Sequence, residues 1–148
     1  MNVRRALPVA LPPAALWKLL WDVPRIVGCV PGCVEAREVE PHRRYTAQMS
    51  QRVGPISLSL PLDVSVTGAE PDCRLALLAR GRDPVIGAEI AMQVIRVIEA
   101  QGEASVLHVE AEGRVLGKLG ALGHGIIQRK AEEAVDEFGA RLQRAAAG

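Results

Sequence analysis

Aromatic residues are scarce: Trp17, Trp21, Tyr45 and Phe138 are the only ones in 148 residues. The interior must therefore be built mostly from Leu, Val, Ile and Ala within an apolar share of 49%. Such an interior is shape-tolerant and inert, which suits holding an apolar molecule without reacting with it. A GC-rich genome, whose codons favour Ala, Arg, Gly and Pro, gives the same composition. An excess of one charge is also missing: 18 Lys and Arg stand against 17 Asp and Glu, mixed along the chain, for a net charge of +1. No basic stripe is interleaved with aromatics, so nucleic acid is not an expected partner. No apolar run approaches the roughly 20 residues of a membrane span. Met1-Asn2-Val3-Arg4-Arg5 leads into prolines rather than a signal-peptide core, and a cytoplasmic protein is expected. Three cysteines, an odd number, do not make a secreted disulfide framework.

Reactive constellations are missing as well. His42, His108 and His124 form no acid–base pair legible in sequence. There is no Ser-His-Asp arrangement, no pair of carboxylates on one inward face and no cofactor fingerprint. Cys29 and Cys33 are separated by Val30-Pro31-Gly32, which is turn chemistry. That spacing fits neither a regular zinc-ligand set nor a thioredoxin-type motif. No metal, no cofactor and no catalytic residue are expected. His124, among glycines, is the one histidine placed to reach a cavity mouth.

What is present is a clear order of elements. Residues 3–11 alternate as a strand. Pro12 and Pro13 suit the first turn of a helix that runs through Trp21 and is apolar all round except at Lys18. A helix apolar on every face must touch protein or ligand on more than one side. Asp22 is placed to cap a second short helix with Pro24 in its first turn, and Pro31-Gly32 stops it. Strands are expected over 34–40, 45–53, 56–67, 74–80, 88–99 and 105–112. In 56–67, Ile56, Leu58, Leu60, Leu62, Val64 and Val66 alternate with Ser57, Ser59, Pro61, Asp63, Ser65 and Thr67, which is period two and not helical. Pro61 argues for an edge or a bulge. In 88–99, Ile90, Met92 and Val94 share one parity while Ile95 and Val97 take the other, so a bulge between Val94 and Arg96 is expected. Residues 81–87 read as a loop.

From Arg114 to about Arg144 the period becomes helical, with a stripe of Ile127, Ala131, Ala134, Phe138 and Leu142. About 30 residues of helix would span roughly 45 Å, enough to cover the apolar face of a curved antiparallel sheet. Gly113, Gly117, Gly120, Gly123 and Gly125 crowd its start. They either keep one helix side bare as a cavity wall or gate, or serve close packing, or form a loop before Ile126. The expected cavity lies between Tyr45, Met49, Leu58, Leu60, Leu62 and Met92 on the sheet and Leu119, Gly120, Leu122, Gly123, Ile126 and Ile127 on the helix. On that reading Gly123→Leu would fill it and weaken ligand binding more than stability.

Trp17, Leu20, Asp22 and the run Cys29-x-Pro31-Gly32-Cys33, with Gly113, Leu116, Leu119, Gly120, Phe138 and Leu142 near the C-terminus, resemble the CoxG family of carbon monoxide dehydrogenase proteins over about residues 3–142. The resemblance implies an α+β helix-grip fold of the START/SRPBCC type, one domain over 1–148. It has a curved seven-stranded antiparallel sheet wrapped around a long C-terminal helix, with two short helices after the first strand. It further implies a non-enzymatic protein that binds a lipid or quinone-like molecule. Such a protein serves a carbon monoxide dehydrogenase-type molybdenum hydroxylase in maturation, membrane recruitment or electron-acceptor supply. Longer members of the family carry a tail beyond the helix, implicated in holding them to membranes. None follows Gly148 here, so peripheral contact at the inner face of the membrane is the most that is expected. The alternative is a small polyketide cyclase-like enzyme, which shares the fold and would need inward polar groups.

Overall fold

Period-two alternation becomes one sheet of seven antiparallel strands in the computed structural model, which describes residues 1–147. The strands are β1 (Asn2–Val9), β2 (Cys33–Glu40), β3 (Arg44–Val53), β4 (Ile56–Glu70), β5 (Arg74–Asp83), β6 (Ala88–Gln101) and β7 (Ala104–Gly117). Helices α1 (Pro13–Trp21) and α2 (Val23–Cys29) follow β1, and α3 (His124–Ala147) ends the described chain. The sheet order is β1-β7-β6-β5-β4-β3-β2, with β1 and β2 as free edges. This is the architecture the pattern of elements and the family resemblance led us to expect. Sequential hairpins make every neighbour from β2 to β7, and only β1 crosses over to pair with β7.

Local chemistry explains the joints. Pro12 precedes α1 and accepts the first helical bond from the Leu16 N–H at 3.0 Å. Asp22 stands at the start of α2, but its side chain makes no cap; its carbonyl takes the Ile26 N–H instead. Gly32, at φ +78°, lets the chain turn against Ser50 on β3. Residues 81–87 are shorter as a loop than expected, because β5 continues to Asp83. The buried Asp83 carboxylate accepts the Val85 and Ile86 N–H groups at 3.0 and 3.4 Å, which closes the turn. Pro61 pairs with Gln48 on β3, while β5 begins its pairing with β4 only at Leu62. Its missing N–H thus falls where β4 has left β5, a local edge.

Two further expectations fail. The first is the bulge between Val94 and Arg96: pairing with β5 and β7 runs unbroken through Val94, Ile95 and Arg96. Ile90, Met92, Val94, Arg96 and Ile98 therefore share the inner face, and Val97 lies exposed on the other. The second is the start of the long helix. β7 continues to Gly117, a short 3₁₀ turn occupies Gly120–Leu122, and α3 begins only at His124. The 24-residue helix is about 36 Å long. Gly117 (φ +77°) and Gly123 (φ +96°) are breaks in direction rather than one helix side.

The interior holds two packed clusters. One gathers Leu16, Leu19, Leu20, Leu107, Phe138 and Leu142 under α1, α2 and the C-terminal half of α3. The other gathers Val53, Leu58, Leu60, Ala88, Ile90 and Leu119 at the opposite end of the sheet. Gly139 brings α3 close to β1: a methyl group there would lie 2.7 Å from Leu7.

Candidate functional site

Between the two clusters the sheet and α3 do not meet. A chamber of about 230 Å³ opens there, lined from β3, β4, β6 and β7 by Met49, Val53, Leu58, Ile90, Met92, Val94, Val109, Ala111 and Val115. From the other side Leu119, Ile127, Lys130, Ala131, Ala134, Val135 and Phe138 close it. A second chamber of about 240 Å³ lies under α1 and α2, between Leu20, Trp21, Ile26 and Val27 and the strand residues Tyr45, Ala47, Leu62, Val64, Leu75 and Leu77. Val30, Met49, Ile90, Met92, Val94 and Arg96 border both. Each chamber alone is small, but together they reach the range of roughly 300–1,000 Å³ usual for small-molecule sites.

The wall is aliphatic with a few polar exceptions. Tyr45 is buried, and its hydroxyl accepts the backbone N–H of His42 at 3.1 Å; burial pushes its pKa up. Trp21 packs edge-on to Trp17, with ring centroids 5.7 Å apart, and lies tilted over His42 at 4.3 Å. The Trp21 ring is thus committed to the rim of the second chamber. Gln51 ties β3 to the turn before β2 by donating to the Pro31 carbonyl. Burial pushes the Cys29 and Cys33 thiols up, so both favour the neutral form over a reactive thiolate. No group of three His, Cys, Asp or Glu side chains placed to hold a metal occurs among the described residues.

Arg96 is the polar residue that sequence reasoning missed. It is only 9% exposed, borders both chambers, and its Nε has no hydrogen-bond partner. Its guanidinium carbon stands 5.5 Å from the centre of the Phe138 ring, within cation–π range. Burial lowers its pKa to about 10, so it is charged at neutral pH. The apolar Ile95 and Val97 conceal it in the sequence, and it is the unbroken pairing of β6 with β5 and β7 that turns position 96 inward.

Met49 and Met92 border both chambers, Leu58, Leu119 and Ile127 line the first, and Tyr45 and Leu62 the second. The remaining expected wall residues lie elsewhere. Leu60 is fully buried in the second core cluster. Leu122 packs at the edge of that cluster from the 3₁₀ turn it shares with Gly120. Gly123 faces open space and Ile126 is 43% exposed, because α3 starts there and turns its next residue, Ile127, inward. His124 is exposed and lines neither chamber. His108 lies 3.5 Å from Glu99 on the outer face.

The family model for the G subunit of carbon monoxide dehydrogenase (CoxG) matches residues 6–147. None of the curated proteins matches by sequence. Among solved structures, a conserved protein from Geobacillus kaustophilus superposes with a TM-score of 0.88 at 18% identity, covering 99% of this chain and 95% of that one. A START superfamily protein from Mycobacterium smegmatis gives 0.76 at 10% identity, covering 99% and 97%. DynU16, described as a putative protein in the dynemicin biosynthetic locus, gives 0.61 at 22% identity, covering 97% of this chain and 46% of that one. At these identities the structural matches speak for the fold. No helix among the described residues is long and apolar enough to cross a membrane.

Proposed function

The chain belongs to the CoxG family, named for the G subunit of carbon monoxide dehydrogenase, and from that premise we propose that it holds a lipid or quinone-like molecule in the chambers between sheet and helix. In this reading it is a non-enzymatic accessory protein of the cytoplasm, reaching the inner membrane face only peripherally. Its partner is a carbon monoxide dehydrogenase-type molybdenum hydroxylase, served in maturation, recruitment or electron-acceptor supply. The observation that carries the reading is the wall itself: both chambers are lined almost wholly by aliphatic side chains, and no carboxylate or histidine lines either. An apolar molecule burying about 300 Å² of its own surface gains roughly 7 kcal/mol before association entropy. That supports micromolar binding at best and suits a carrier that must release its cargo.

The test is native mass spectrometry of protein purified without detergent, with lipid extraction of the same sample, and titration with a short-chain quinone followed by quenching of Trp21. A stoichiometric apolar adduct and saturable quenching are expected. Protein that carries no adduct and shows no saturable quenching would overturn the reading. The alternative, a polyketide cyclase-like enzyme, draws on the likeness to DynU16 and on Tyr45, Thr46 and Cys33 in the second chamber. Turnover of a polyketide-like substrate by the unmodified protein would favour it.

A further inference from the structure

The charged side chains that line the chambers are Arg96 and Lys130, both cationic. Arg96 makes no ion pair among the described residues, and its Nε is both buried and unpartnered. A buried guanidinium without a hydrogen-bonding counterpart is costly. Phe138 stands within cation–π distance on one side but offers no oxygen acceptor. Arg96 also stands where the two chambers border each other, so a ligand lying in both passes it. A ligand made only of hydrocarbon would leave the guanidinium as it is; one with an acceptor oxygen would supply the missing partner.

We infer that Arg96 is the headgroup anchor of this cavity, and that its ligand is an apolar body presenting an acceptor oxygen, a carboxylate or a quinone carbonyl, to the guanidinium. The inference rests on the apolar-ligand reading above and narrows it. Of the two head chemistries a carboxylate also neutralises the charge, and charge-assisted bonds are the stronger ones. Lys130, on the first turns of α3, adds positive potential from the helix side of the first chamber. Arg96 is therefore a specificity residue: it separates oxygen-headed amphiphiles from plain hydrocarbon.

The experiment compares the unmodified protein with Arg96→Met and Arg96→Lys. Three probes are used: dodecanoate, a decyl quinone, and the neutral dye N-phenylnaphthylamine, which carries no acceptor oxygen. Arg96→Met should weaken at least one oxygen-headed probe about tenfold or more, the usual effect of losing a hydrogen bond to a charged group. The dye should stay within about twofold. Loss for dodecanoate alone, or for the quinone alone, supports the inference and identifies the head. Arg96→Lys keeps the charge without the planar donors and should fall between. Wild-type affinity of Arg96→Met for both oxygen-headed probes overturns the inference, as does equal loss for all three. Dye binding with neither oxygen-headed probe bound by the unmodified protein also overturns it but leaves the apolar cavity standing. Failure of all three probes on the unmodified protein removes the cavity reading itself.

Discussion

The two halves of α3 carry the same kind of apolar stripe and do opposite things with it. Toward the C-terminus Phe138, Gly139 and Leu142 are buried against α1, β1 and β7. Toward the N-terminus Ile127, Ala131 and Ala134 are only half-buried and face a chamber. The periodicity is the same in both halves. Side-chain reach differs: Leu and Phe cross the gap to the sheet, whereas Ala does not. A hydrophobic stripe therefore tells which face of a helix turns inward, not whether the space in front of it is filled. The packed half holds the fold; the short-chain half leaves the room that a ligand needs.

The largest expected effect is on the packed half. Leu142 is fully buried in the cluster with Leu16 and Leu107, so Leu142→Ala should cost about 2–5 kcal/mol, the usual toll of a buried leucine truncated to a methyl. Urea unfolding measures it. A cost below about 1 kcal/mol would mean that the C-terminal half is as loosely filled as the N-terminal half, and the contrast would collapse.

An intermediate effect is expected where α3 begins. Gly123 has φ +96° and ψ 154°, a region that residues with a side chain enter only at a cost of about 1–3 kcal/mol. Gly123→Ala should destabilise by that amount. A methyl group there would meet nothing within 4 Å, and the position lies off both chamber walls, so ligand affinity should not change. This reverses what the glycine spacing suggested, that filling position 123 would harm binding more than stability. Unfolding and dye binding measured on the same preparation decide it.

How far the sequence could be read follows the same line. The alternation in β4 and the order of strands and helices were plain, because burying one face of a sheet demands period two. The stretch from Gly113 to Gly123 was not: glycines three apart imitate a helix face, and positive φ at Gly117 and Gly123 leaves no trace in hydrophobic periodicity. Leu60, Gly120, Leu122, Gly123 and Ile126 line neither chamber, for that reason or because apolar character does not distinguish core from cavity. Arg96 was hidden differently. The apolar Ile95 and Val97 stand on the outward parity and suggest a bulge, whereas the unbroken strand turns Arg96 inward, which is costly in an ordinary core. The cost is real, and it is why the residue points to a ligand.

The smallest effect on stability is expected at Ala131, and it sharpens the comparison most. Its methyl group borders the first chamber from α3. A larger side chain in a packed core forces strain of about 1–3 kcal/mol, but here it would extend into open space. Leucine is a strong helix former, close to alanine, and its extra surface would leave water, a gain of up to about 2 kcal/mol that offsets lost side-chain freedom. Ala131→Leu should therefore unfold within about 1 kcal/mol of the unmodified protein. Binding should respond strongly, because three added carbons remove a good share of a chamber of about 230 Å³. The expected signature is unchanged stability with dye and quinone affinity reduced at least about tenfold, since blocking even part of the ligand's buried area forfeits more than about 1.4 kcal/mol. Unchanged affinity would place the ligand in the chamber beneath α1 and α2, between Trp21 and Tyr45. A loss of stability as large as that of Leu142→Ala would show that both halves of α3 face the same close-packed core.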